Sequence, residues 1–198
     1  MRRAAPPAPH MDEIVEFRAA RSWETWLAKN HARSAGVWLR LAKKASGLES
    51  VSCAEALEVA LCYGWIDGQK KPESATAWLQ RFVPRTERSI WSRINREKAK
   101  ALIAAGRMKP AGLAAIERAR ANGRWETAYD SHRSATVPAD LQAELDRNPR
   151  AAKFFATLDR ANRYAVLFRI QTARKPETRQ RRISQFVAML ARGEKLHP

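Results

Sequence analysis

A chain of 198 residues, 45% of them apolar, is long enough for a full core in one or two domains, and its composition is not that of a disordered protein. Its 37 lysines and arginines against 20 acidic residues give a formal charge of +17. Such a surface attracts nucleic acid, anionic lipid or acidic small molecules, and it also fits plain solvated arginine. No apolar run is long enough to span a bilayer, so no transmembrane segment is expected.

Residues 1–12, "MRRAAPPAPHMD", carry Arg2 and Arg3 but no apolar stretch of signal-peptide length. They are expected to form a disordered tail on a cytoplasmic protein. "EIVEF" (13–17) and "GVWLRLAKK" (36–44) group β-branched and aromatic residues, which suits strands. Between them, "SWETWLAKNH" predicts a helix with Ser22 as N-cap and Trp23, Trp26 and Leu27 at helical spacing. In "SCAEALEVALCYG", Ser52 and Glu55 have capping-box spacing and Gly64 follows the last turn. Ala56, Val59, Ala60 and Tyr63 fall on one face of that helix. "WIDGQ" and "ATAWLQRFV" predict two more extended segments, joined by "KKPES" as a turn.

After Pro84 the pattern becomes helical. One helix is expected from Ser89 or Ser92 to Gly106, burying Trp91, Ile94 and Leu102. A second is bracketed by Pro110 and Gly123. Residues 126–137 predict a loop, and Pro138, Pro149 (after the N-cap Asn148) and Pro176 then punctuate further helices. Another helix starts after Asp159, and the last places Ile183, Phe186, Val187 and Leu190 on one stripe before Gly193. Arg179 falls on that stripe, so it must snorkel or find an acceptor. Asp159, or a carboxylate or carbonyl of the N-terminal part, are the choices, and an inward contact is favoured over snorkelling.

The expected fold is α+β, mainly helical, with a small N-terminal sheet and helices followed by a C-terminal helical part. The expected division is a tail (1–12), an α+β domain with basic helices (13–125), a linker (126–137) and a helical domain (138–198). Cys53 and Cys62 lie about 13 Å apart along one helix, on opposite faces, and are expected to be reduced structural thiols. The histidines (His10, His31, His132, His197) lack metal-ligand spacing, so neither a metal nor a cofactor is expected.

A candidate site centres on Asp67, a carboxylate between apolar Ile66 and Gly68, preceded by Trp65 and followed by Lys70. Arg81 and Arg85 on the neighbouring segment are positioned by sequence to answer its charge, and "SIWSRINREK" adds Trp91 and Asn95. These residues read as an Asp–Arg structural lock, a ligand-binding site or a catalytic group. No Ser-His-Asp or Cys-His grouping, carboxylate pair, P-loop or Rossmann glycine pattern is present. Whether the protein is an enzyme stays open.

The segments "GWIDGQKK", "WLQRFVPR", "SIWSRINREK", "AAGRMKPAGLAAIERARANGRW" and "KPETRQRRI" together resemble the bacterial YdeI/OmpD-associated family, also called OmdA or bacteriocin-protection. The likeness runs over roughly residues 20–198, with Trp65, Asp67, Arg81, Pro84, Trp91, Asn95, Gly106, Pro110 and Gly112 matching in order. The resemblance implies a role in stress or antimicrobial-peptide protection and an outer-membrane porin partner, and carries over no catalytic residue. The leading expectation is a protein that binds a partner or an anionic ligand. The alternative is a nucleic-acid-binding protein using the basic helices of 91–125, with Arg93, Arg96, Lys98 and Lys100 on phosphates and Trp78 or Trp91 stacking a base.

Overall fold

The structure, a computed structural model, describes residues 13–198, and the expected N-terminal tail lies outside them. The fold is α+β and mainly helical. Two compact units emerge: the described residues up to Ser89 with Glu97–Trp125, and Ile90–Arg96 with Glu126–Pro198.

The first unit is built on a four-stranded sheet. Strands β1 (Ile14–Glu16), β2 (Val37–Ala42), β3 (Trp65–Pro72) and β4 (Ala77–Pro84) lie in the order β1-β2-β4-β3. β1 runs parallel to β2, and the other neighbours are antiparallel. Helix α1 (Ala20–Asn30) connects β1 to β2, and α2 (Cys53–Cys62) precedes β3. One sheet face is apolar because β2 alternates Val37, Leu39 and Leu41 inward. Trp23 and Leu27 of α1 and Phe82 of β4 are fully buried. Trp23 stacks on Trp26 with ring centroids 5.4 Å apart, and its Nε1 donates to the Ala56 carbonyl at 3.1 Å.

That burial moves the start of α1. The helix begins at Ala20 with Ala19 as N-cap, so Ser22 is an interior residue and not the expected cap. Trp23 donates its backbone N–H to the Ala19 carbonyl, closing a turn earlier than the local signal predicts. The Ser52–Glu55 capping box forms as expected. The "KKPES" turn is shorter than expected: Lys70, Lys71 and Pro72 belong to β3.

Helix α3 (Arg93–Ala104) begins in the second unit and ends in the first. Leu102 is buried, but Ile94 is 52% exposed, against expectation, and Ala99 takes the interior position. α4 (Pro110–Ala121) starts at Pro110 and ends before Gly123, as its punctuation predicts. Gly112 lies where a Cβ would run into the Cys62 carbonyl, so α4 meets the end of α2 at backbone distance.

The second unit holds α5 (Ala139–Asp146), α6 (Pro149–Thr157), α7 (Arg160–Gln171) and α8 (Pro176–Ala191). Leu141, Phe155, Ile170, Ile183 and Leu190 are central to its core. Segment 90–96 joins it through a bridge between Ser92 and Tyr129, with Tyr129 N–H donating to the Trp91 carbonyl at 2.9 Å. Arg179 turns inward, but to neither expected partner. Its Nε and Nη2 reach the two Asp140 oxygens at 2.6 and 2.9 Å, and Nη1 donates to the Ile170 carbonyl at 3.0 Å. Asp159 is occupied instead in capping α7, where it accepts from the Asn162 N–H.

Candidate functional site in the N-terminal sheet

The entry to β3 is set by Gly64. Its φ of +72° and an Ala111 carbonyl only 2.7 Å from any added Cβ leave room for glycine alone. The Gly64 carbonyl accepts from the Arg85 N–H at 2.9 Å, which starts the β3–β4 pairing. Trp65 follows, 1% exposed, with Nε1 donating to the His31 carbonyl.

Asp67 stands opposite Phe82 in the ladder, so the two share the helix-covered face. Arg81 stands opposite Trp38, whose neighbours Val37 and Leu39 point inward, so Arg81 lies on the other face of the sheet. The expected Arg81–Asp67 pairing is therefore corrected: adjacent strand residues project to opposite sides. Arg85 is buried, and its charge acts on Asp67. Burial nevertheless dominates and raises the Asp67 pKa above the ordinary carboxylate value, against the opposing pull of its own backbone N–H and of Arg85. Asp67 is half-buried.

Immediately after Asp67 the register slips, so that Gly68 and Gln69 form a bulge before Lys70 pairs with Gln80. Gln80 is 4% exposed and its Nε2 donates to the Gly68 and Gln69 carbonyls at 3.0 and 3.1 Å. The bulge thus has a dedicated donor that the sequence reading missed; the one signal was a glutamine in an otherwise apolar strand.

Beyond the bulge, β3 carries Lys70, Lys71 and Pro72, the last paired with half-buried Trp78. With Lys43 past the end of β2, these residues line a cleft of about 340 Å³. Lys43 is held by a 2.8 Å bond from Nζ to the Ser74 carbonyl, and the Lys71 ammonium lies 4.3 Å from the centre of the Trp38 ring. Lys70 shares the Trp78 face of the sheet, whereas Lys71 projects to the other face onto Trp38, so the cleft joins an indole wall to a basic strand end. Its volume falls in the range of about 300–1,000 Å³ common for small-molecule sites. Of the expected ligand-binding set, Lys70 lines this cleft, whereas Trp65, Asp67, Arg81 and Arg85 do not.

Trp91 and Asn95 belong to the second unit. Trp91 is 3% exposed, which removes it as a base-stacking surface, while the Asn95 N–H donates to Ser92 Oγ at 3.1 Å. The basic row proposed for nucleic acid is largely answered by local carboxylates. Arg93 meets Asp130 at 3.2 Å, Lys98 meets Glu58 at 2.9 Å and Lys100 meets Glu97 at 3.0 Å. Both cysteines are free thiols, and burial raises their pKa, which disfavours the nucleophilic thiolate. Among the described residues no helix is long and apolar enough to cross a membrane.

An α+β unit followed by a helical bundle is what two protein families divide between them in this chain. Residues 15–115 match the family described as Domain of unknown function (DUF8412), just over half of the sequence, and the chain belongs to that family. Residues 134–193 match the family described as "Bacteriocin-protection, YdeI or OmpD-Associated" (OmdA), the family that the sequence resembles. The OmdA match is thus confined to the C-terminal helices, a narrower span than the resemblance suggested. No curated protein and no solved structure matches the chain.

Proposed function

We propose that this protein binds an anionic small molecule carrying a flat ring, held in the cleft between Trp78 and the lysines 43, 70 and 71. The observation that carries this reading is a cleft of about 340 Å³ whose lining joins half-exposed Trp78 to Lys43, Lys70 and Lys71. The ring stacks on Trp78, and the lysines supply charge without fixed geometry, which suits phosphate or carboxylate groups. Asp67 stands before the bulge that delivers Lys70 and Lys71, so its part is to shape that strand and not to contact the anion.

The binding serves protection against bacteriocins, the role named in the OmdA description, as part of a wider stress or antimicrobial-peptide protection. A chain at +17 repels cationic peptides, so protection runs through an anionic ligand or a partner and not through direct capture of such a peptide. Titration with mononucleotides, read by tryptophan fluorescence and thermal shift, tests the reading. Quenching with a raised melting temperature is expected, and Trp78→Ala or Lys70→Glu should weaken binding at least about tenfold, or about 1.4 kcal/mol. An absence of stabilisation by any aromatic anion at millimolar concentration refutes it. Nucleic-acid binding that is indifferent to both substitutions would favour the basic helices instead.

A further inference from the structure

The second unit contains a smaller cavity that the ring-binding cleft does not account for. It holds about 200 Å³ between the loop 130–135 and α7, lined by His132, Ala135, Arg160, Arg163, Tyr164 and Leu167. At about 30 Å³ per water it has room for about six waters, less than a nucleotide needs and ample for a tetrahedral oxyanion.

Its walls are fixed in place. The Asp130 N–H donates to Gln171 Oε1 at 2.9 Å, and the Tyr164 hydroxyl donates to the Asp130 carbonyl at 2.9 Å. Both ends of the Asp130 residue are thereby tied to α7, which brings the His132 ring to 6.1 Å from the Tyr164 ring. The Arg163 guanidinium is seated 4.5 Å from the centre of the Phe155 ring. Burial pushes the Tyr164 pKa up to about 12, so the phenol keeps its proton.

The carboxylates nearest in the chain and fold are engaged elsewhere. Asp159 accepts from both the backbone N–H and the side-chain amide of Asn162, at 2.8 and 2.9 Å. Asp130 faces Arg93 at 3.2 Å. Among the described residues no carboxylate forms an ion pair with Arg160 or Arg163. Two guanidinium groups and an imidazole thus border a small cavity, and among the described residues neither guanidinium is paired with a carboxylate.

We propose that this cavity, lined by Arg160, Arg163, His132 and Tyr164, is a binding site for a phosphate-type oxyanion. Guanidinium forks match the paired oxygens of phosphate, and Arg163 is already oriented by Phe155. This site is independent of the Trp78 cleft and stands or falls separately.

The test is titration of the full chain with inorganic phosphate at constant ionic strength maintained by chloride, followed by calorimetry and melting temperature. Phosphate should bind and raise the melting temperature, and R160Q/R163Q should weaken binding at least tenfold. Arg160 is exposed, so R160Q alone retains the fold and should still lose severalfold affinity. Lys70→Glu should leave the phosphate response intact while R160Q/R163Q loses it, which separates this site from phosphate held by the lysines of the ring-binding cleft. O-phosphoethanolamine run in parallel distinguishes sources: preference for the free ion assigns phosphate itself, and preference for the ester assigns a headgroup-type monoester. No phosphate-dependent change in the wild type, or an equal change in R160Q and the double variant, overturns the proposal.

Discussion

Asp67 shows how one residue can be costly where it stands. Its folded pKa is raised, chiefly by burial, so folding disfavours the charged form. For such a group the stability is fully present below the unfolded aspartate pKa of about 3.9 and is lost as pH rises through the folded value. Asp67→Asn is therefore expected to stabilise the protein at neutral pH, with the advantage vanishing in acid below about pH 4. Urea unfolding of both chains from pH 3.5 to 8 measures it, and a loss of stability at pH 7 would restore the Asp–Arg lock as the role of this carboxylate. The sequence exposed the oddity of Asp67 because a lone carboxylate among Trp65, Ile66 and Gly68 is visible by composition alone. It concealed the partner, because which arginine shares its face depends on ladder register, and the bulge at Gly68–Gln69 that alters that register is set by Gln80. Trp78 was legible as an aromatic but not as a cleft wall, since the cleft needs Lys43, just past the end of a strand that is distant in sequence.

At the scale of elements, helices marked by their own caps were readable and those started by tertiary contact were not. Ser52 with Glu55, Asn148 before Pro149, and Asp159 all act within three residues of themselves, so their signals are local. The early start of α1 and the outward turn of Ile94 depend on what each helix packs against, which no local pattern carries. Arg179 belongs to the same class: its place on the apolar stripe was legible, but Asp140 lies 39 residues away on α5. Arg179 links three helices, pairing with α5 and donating to the last turn of α7. Asp140 is 40% exposed, so solvent screening limits the ion pair to about 1 kcal/mol, and the carbonyl bond adds about as much. Arg179→Met keeps the aliphatic stem and is expected to cost roughly 1–2 kcal/mol at pH 7. The Arg179 bonds hold the Asp140 pKa below its ordinary value. That contribution is present above the unfolded aspartate pKa and is lost as pH falls through the folded one. The difference between wild type and R179M should accordingly shrink in acid, and a penalty unchanged down to pH 2 would mean that packing and not pairing is what the substitution removes.

For the whole molecule the net charge of +17 is the largest single fact, and it separates a diffuse field from a dedicated nucleic-acid surface. Any protein this basic will adsorb to duplex DNA at low salt through counterion release, with a log–log slope of about −0.9 for each phosphate neutralised. A dedicated surface on α3 would concentrate that slope in a few residues, whereas a field spread over the chain would not. Arg93, Lys98 and Lys100 already face Asp130, Glu58 and Glu97, and releasing them onto phosphate means giving up those contacts. The triple variant R93Q/R96Q/K100Q is therefore expected to bind duplex DNA with a slope shallower by less than about one, measured by anisotropy between low and moderate salt. If these three side chains made the phosphate contacts, the slope would instead drop by about 2.7, three times the increment per contact. That larger drop, at a melting temperature equal to the wild type, would displace the ring-binding cleft in favour of a nucleic-acid interface on the basic helix. A small drop, with mononucleotide binding still sensitive to Trp78→Ala, leaves the charge as a general field that concentrates anions around the cleft lined by Lys43, Lys70, Lys71 and Trp78.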